Sequence, residues 1–439
     1  MSQAPASAAQ LGVDNVCDVL VIGGGPAGSA AATLLARQGR DVLLIEKAHH
    51  PRFHIGESLL PASGRLFEAL GVREAVERIG MRKWGVEFVS PQHAHTGQIE
   101  FADAADPSLN YAWQVRRSEL DELLFRHAAA SGARTREGCQ ADKVDFDAEG
   151  ATVQTRCEGG SRRQWRTRFV VDATGRDTLL ARQQGSRRKD PLHDSAALYA
   201  HFRGAERLPG KLEGNISIFW FEHGWFWFIP LADGHTSVGA VCWPQYLKTR
   251  RKPLPDFFRD TIALCPPLAK RLAPAELLAD TVEATGNYSY SAERASGERH
   301  VLLGDAYAFV DPVFSSGVHL ALRSAFASAD LIAARLDRPH EAAAAQRRFE
   351  HLAQRGPREF TWFIHRMGSP VIRDMFMNPR SLFGAKKALM ALLAGDIDHA
   401  DHAGLRVFKG AYGMLSLLDA KQSWRHRRQR QTRLAEAAQ

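Results

Sequence analysis

The run DVLVIGGGPAGSAAATLLARQGRDVLLIEK, Asp18 to Lys47, constrains this chain more than any other stretch. A short apolar strand meets a glycine turn, a small-residue helix follows, and a second apolar strand ends on an acid. The spacing Gly23, Gly25, Gly28 gives the three glycines distinct roles, namely a tight turn, a close backbone approach to a pyrophosphate, and close packing of helix on strand. Pro26 suits the first helical turn, where its missing N–H costs nothing. The free amides at that helix end face phosphate. Glu46 stands 18 residues past Gly28, where a carboxylate meets the hydroxyls of an adenosine ribose. A glycine turn alone would say little, but both strands, the helix and the acid together predict a parallel α/β nucleotide-binding unit.

Two distant segments repeat a strand running into a small-residue turn with an acid: RFVVDATGR with Asp172 and RHVLLGDA with Asp305. With QVRRSELDELL, which carries Arg117 and Asp121, they resemble the glutathione-reductase-like FAD fold of aromatic hydroxylases and related flavoenzymes. The resemblance implies one bound FAD, with Asp305 by the ribityl–pyrophosphate region and Arg117 by the phosphates. Between them, NISIFWFEHGWFWFIPLADGHTSVGAVCW reads as antiparallel strands turning near Glu222 to Gly224 and at Asp233–Gly234. The two-residue period puts Trp225, Trp227 and Ile229 on one face and Phe226 and Phe228 on the other. This sheet is expected to roof a substrate cavity, although aromatic runs also serve simply as packed core.

Three strings narrow the resemblance to flavin-dependent halogenases, on the phenol and pyrrole side of that family. GWFWFIP, Gly224 to Pro230, matches the pattern GWxWxIP. FVDPVFSSG matches FxxPxxSxG through Phe309, Pro312, Ser315 and Gly317. KWGVEF, with Lys83, Gly85 and Phe88, resembles KxGAxF around the family's catalytic lysine, though the preceding IGM departs from the family's aromatic lead-in. The resemblance implies that reduced FAD, O2 and chloride or bromide yield hypohalous acid, which a lysine hydrogen-bonds or carries as a haloamine. Lys83 is the expected lysine, against the plainer reading of a solvated surface lysine, and Arg82 stands beside it. Glu57 in HIGESLLP is the candidate base for the ring proton, or else a helix cap or a partner of the flavin loop.

By the same resemblance the cofactor site takes in Gly23, Gly25, Pro26, Ala27, Gly28, Glu46, Lys47, Arg117, Asp172, Gly175, Asp305, Pro312, Gly317 and Val318. Ser316 and Gly317, at the start of a helix, are expected to hold the halide. Trp225, Trp227 and Phe309 are expected to line the tunnel, the indoles keeping the ring away from the flavin.

The expected layout is a disordered 1–15, an FAD-binding part at 16–175, a substrate sheet at 176–298, the rest of the FAD domain at 299–335 and helices at 336–439. No apolar run approaches the roughly 18 residues of a membrane span, and the first fifteen residues lack the form of a signal peptide. Five scattered cysteines without CxxC spacing predict neither a zinc site nor a disulfide framework, and fit a cytoplasmic protein. The formal charge of +8 gathers partly in the tail KQSWRHRRQRQTR without any nucleic-acid motif, so no nucleic acid is expected. That tail reads first as a solvated helix; a basic surface would also suit an acidic acyl carrier protein. A second nicotinamide fingerprint is absent, which points to a separate flavin reductase. A flavin hydroxylase or a geranylgeranyl-reductase-like enzyme shares the FAD elements but explains neither GWFWFIP nor FVDPVFSSG, and a flavin-binding scaffold protein would require a lost catalytic element.

Overall fold

Strands Val16–Ile22 and Val42–Ile45 lie side by side in parallel, with Val19, Leu20 and Val21 fully buried. Runs apolar on both faces survive only where helices cover both sides of a sheet. In this computed structural model, which describes residues 15–104, 106–278, 281–286, 289–378, 385–397 and 402–436, with side chains described no further than residue 420, helix Pro26–Arg37 packs on Gly317–Asp337 beside that sheet. The sheet runs Arg134–Arg136, Val42–Ile45, Val16–Ile22, Arg162–Asp172, Ala151–Cys157, Cys139–Phe146, with His300–Leu302 added beside Arg162–Asp172. Its nucleotide half is parallel and its outer hairpins antiparallel. The expectation for residues 1–15 lies almost wholly outside the described residues.

The second sheet follows the expected hairpins. Ile216–Phe221, Gly224–Pro230 and His235–Cys242 pair antiparallel, and Ala196–Arg203 continues the sheet. The two-residue alternation holds. Trp225, Trp227 and Ile229 pack with Phe360, Phe363 and Phe376 of the helical C-terminal region. Phe226 and Phe228 pack on the other side with Phe257, Phe258 and Leu268. Both faces are closed, which explains an almost unbroken apolar run.

Two expectations need correction. Gly85–Val89 and Gly97–Glu100, placed with the FAD-binding part at 16–175, join the second sheet, and Gly85–Val89 lies parallel to Ile216–Phe221. Lys83 itself ends the strand Met81–Lys83, which pairs with Ala112–Gln114 in a separate two-stranded sheet, so the chain passes from one pairing to another within two residues, because a strand pairs with whatever edge the fold presents, however distant in sequence. The cysteines also differ from expectation. Cys139 and Cys157 face each other across one hairpin and are joined by a disulfide, while Cys17, Cys242 and Cys265 are free and buried. Pairing register brought them together, which no CxxC count detects. Among the described residues no helix is long and apolar enough to cross a membrane, and no cluster of side chains could hold a metal ion.

Candidate functional site

A single cavity of about 1190 Å³ runs from the glycine turn to the roof of the second sheet. At the nucleotide end Gly23 adopts φ +107°, and a Cβ there would come within 2.3 Å of Ala173 O. A Cβ on Gly28 would sit 1.9 Å from Gly23 O, so this glycine serves packing and not the cavity wall. Gly25 differs: a Cβ there would meet nothing of the protein nearer than Arg52 Nη2 at 3.7 Å, and would fill the cavity itself. Gly23, Pro26, Ala27, Lys47 and Gly175 share this wall.

Glu46 is buried and pinned in place. Its Oε2 accepts from Gly24 N at 2.7 Å and lies 3.4 Å from Arg52, while its Oε1 accepts from Ala48 N at 3.0 Å. Arg117 forks onto Asp121 at 2.8 and 3.0 Å and donates to Ile55 O at 2.9 Å. Burial pushes the Asp121 carboxyl up, but the Arg117 guanidinium outweighs it and holds it below the usual carboxylate range. Asp305 faces the cavity, and burial raises it to about 6 against the pull of Arg117 and Arg176. Burial likewise holds His54 down to about 4, so this cavity imidazole is neutral at pH 7. Arg52, His54 and Arg176 were not anticipated; only the Arg closing RFVVDATGR offered a signal.

Asp172 takes a different place. Its carboxylate is fully buried, accepts from Thr174 N, Thr174 Oγ1 and Leu180 N, and is not on the cavity wall. It ties the turn after Arg162–Asp172 to the following helix. Asp172→Ala should therefore cost about 1–3 kcal/mol through the orphaned donors, measured by thermal unfolding, while the folded fraction binds FAD at wild-type strength.

The segment from Phe309 to Val318 forms the floor. Asp311 Oδ1 accepts from Val313 N at 3.1 Å, which starts the tight turn Pro312–Phe314, and Ser315 adopts φ +55° before helix Gly317–Asp337 begins. Ser316, Gly317 and Val318 line the cavity, and the first amides of a helix have no partner within it. Asp311 Oδ2 lies 2.8 Å from His193 Nε2 and 3.3 Å from Ser195 Oγ, so the substrate sheet's entry loop holds the floor in place. Burial disfavours a charge on His193, yet the Asp311 carboxylate prevails and raises it.

At the far end stand Glu57, Ser58, Trp227 and Ile229. Trp227 donates Nε1–H to Ser237 Oγ at 3.2 Å, and Gly239 leaves room for its ring, since a Cβ there would lie 2.1 Å from Trp227 Cζ2. Phe309 is on the wall too, with Arg176 stacked on its ring at 5.5 Å. Trp225 is not on the wall; it packs beside Trp227 and across from Trp220.

Strand Met81–Lys83 alternates outward and inward. Arg82 is exposed and paired with Glu77, whereas Lys83 is 1% exposed. Lys83 Nζ donates to Ser58 Oγ at 2.9 Å and Leu59 O at 3.2 Å and stands 5.3 Å from the centre of the Phe101 ring. Burial alone drives it down to about 7. A solvated surface lysine is thereby excluded; Lys83 sits one side chain behind the wall, with Ser58 between. Glu57 is equally buried, its Oε1 3.0 Å from His201 Nε2 and its Oε2 without a hydrogen-bond partner among the described residues.

Comparison with known proteins agrees with this geometry. The family model described as an FAD binding domain matches residues 16–346. A flavin-dependent halogenase, gsfI of Penicillium aethiopicum, is 37% identical over 349 residues, covering 73% of this chain and 65% of that one. The solved structure of the myxobacterial chondrochloren halogenase CndH has a TM-score of 0.77 at 32% identity, covering 89% of this chain and 92% of the other. The chain belongs to the flavin-dependent halogenase family. A further member, a tryptophan 2-halogenase of Chondromyces crocatus, is 36% identical over 317 residues and covers 71% of this chain. The chain spans 65% and 60% of the lengths of these two curated family members.

FAD fits the residues present. A long cavity with a bare-glycine approach at Gly25, a helix start at Pro26, an anchored acid at Glu46 and a buried cation at Arg117 matches a flavin dinucleotide in shape and charge. The family's two strongest strings, GWFWFIP and FVDPVFSSG, both reach this cavity, through Trp227 and Ile229 and through Phe309 to Gly317.

Proposed function

We propose that this chain halogenates an electron-rich aromatic ring with chloride or bromide, using FAD reduced by a separate reductase. The observation that carries the reading is Lys83: a buried lysine whose hydrogen-bond partners are neutral, brought to about 7, and bonded to a serine on the wall of the flavin cavity. Such a lysine has no use as a surface charge, burying it is costly, and ionisable groups shifted this far concentrate at functional sites. Bound FAD would supply the oxidation of halide by dioxygen to hypohalous acid.

The chain's own residues then have separable roles. Gly25 and the helix start at Pro26 take the pyrophosphate, Glu46 the ribose, and Arg117 the phosphate charge. Ser316 and Gly317, at the open amides of their helix, hold the halide. Lys83, near half-protonated at pH 7, offers both an N–H donor to polarise hypohalous acid and a free amine to carry the halogen as a haloamine. Trp227 closes the roof and keeps the ring from the cofactor. Glu57 Oε2, buried and without a hydrogen-bond partner among the described residues, takes the proton that the ring gives up.

Phenols, pyrroles and indoles are the ring classes with enough electron density, and one relative's name specifies tryptophan as its substrate. The side chains of the basic tail lie outside the described residues, and the ring is proposed in either form, free or tethered to an acyl carrier protein. Protein supplied with FAD, an NADH-driven flavin reductase, O2, chloride or bromide and a panel of these rings should yield products with the halogen isotope pattern in mass spectrometry. Products that gain one oxygen and no halogen would make the chain a hydroxylase; C=C reduction would make it a reductase.

A further inference from the structure

Glu57 and Lys83 approach each other through neighbouring residues, yet neither satisfies the other. The ammonium is spent on Ser58 Oγ and Leu59 O, and the side-chain donor available to Glu57 is His201. His201 belongs to strand Ala196–Arg203, 144 residues away, and is as buried as the acid it meets. Phe53 stands edge-on to its ring at 6.1 Å, and Tyr199, two residues earlier on the same strand, gives its hydroxyl to Glu283 at 2.7 Å. Other titratable groups on the cavity wall include Arg52, His54, Arg117, Arg176, Asp305 and Asp311. A carboxylate in such a place, with one oxygen lacking a partner among the described residues, depends on the donor at its other oxygen.

We propose that His201 is a positioning residue for the halogenation step: its Nε2–H holds Glu57 Oε1 and turns Oε2 toward the ring proton. This rests on the reading of Glu57 as proton acceptor. A carboxylate needs a donor and not a bare nitrogen, which selects the Nε2–H tautomer. When halogen has added to the ring, the C–H bond breaks, its electron pair returns to the ring, and the proton goes to Glu57 Oε2. Nothing is oxidised or reduced in this step, and His201 itself neither gains nor loses a proton.

The hydrogen bond is separable from mere packing. His201→Phe fills the space but removes the donor, which leaves both oxygens of Glu57 without a hydrogen-bond partner among the described residues. His201→Gln keeps an N–H in reach. Two measurements on the FAD-loaded protein test it. In thermal unfolding at pH 7, the losses from His201→Phe and Glu57→Gln should fall short of adding up in the double variant, because each removes the same hydrogen bond.

In turnover, His201→Phe should lose about a hundredfold in kcat at pH 7 and change little in KM. His201→Gln should retain most of the rate. Melting losses that simply add, or equal rate losses in the Phe and Gln variants, would overturn the role of His201. If wild type yields no halogenated product, the proposed function falls, and the melting cycle still decides whether His201 holds Glu57.

Discussion

Lys83→Met should lose halogenation by more than about a hundredfold and yet melt at a higher temperature than wild type near pH 7. The two effects have one cause. Lys83 is buried with neutral partners only, so the fold carries the desolvation of an ammonium without an opposing charge. Replacing a buried charge with an apolar side chain of similar length is neutral or stabilising by about 1–4 kcal/mol; the unmet Leu59 carbonyl takes back a part.

The pH dependence follows from the direction of the shift. The lysine titrates at about 7 in the fold against an ordinary value of 10.5. Below pH 7 both folded and unfolded chains hold the proton, and the burial penalty is felt in full. Between 7 and 10.5 the unfolded chain binds more protons than the fold, so wild-type stability rises with pH. The advantage of Lys83→Met is therefore largest at pH 7 and below and shrinks toward pH 10. Calorimetry across pH, with product mass spectrometry and a flavin absorbance count on the same samples, checks all three claims. A variant that melts lower at pH 6 and still halogenates would show that Lys83 is a structural lysine.

Gly28→Ala should be among the most damaging single-methyl changes in the chain. The added carbon would lie 1.9 Å from Gly23 O and 3.2 Å from Ala173 Cβ, all backbone or rigid atoms that cannot rotate away. Helix and strand must separate, at a cost of about 3 kcal/mol or more, and both stability and FAD affinity fall. Gly25→Ala forms the contrast. Its methyl has 3.7 Å to the nearest protein atom, so the apoprotein should melt as wild type while FAD binding weakens, because the methyl projects into the space the pyrophosphate needs. Apoprotein melting and flavin fluorescence titration separate the two. Equal behaviour of both variants would refute the division of labour between the glycines.

Much of the fold and part of the site were legible because they depend on neighbours in sequence. The glycine spacing, the acid at Glu46 and the face alternation of GWFWFIP are local patterns, and the structure places them as read. The break at Asp311–Pro312 is also local: an acid that caps the next turn and a proline that begins it. Asp172 shows the opposite case. Its strand-turn-acid pattern equals that of Asp305, but Thr174 and Leu180 claim the first carboxylate while the second faces the cavity. The resemblance points to Lys83, yet only pairing of Met81–Lys83 with Ala112–Gln114 decides that Lys83 is inside and Arg82 outside.

The sequence by itself determined the nucleotide-binding unit, the double-faced aromatic sheet and the helix start beneath the cavity, since steric rules of turns and the periods of strands and helices act over a few residues. Only the tertiary structure decided the electrostatics: Lys83 lowered by burial, Glu57 met by His201, Asp311 met by His193, and Cys139 joined to Cys157. A charge responds to every dipole and every missing water around it, and for Glu57 and Asp311 those neighbours arrive from segments more than a hundred residues away.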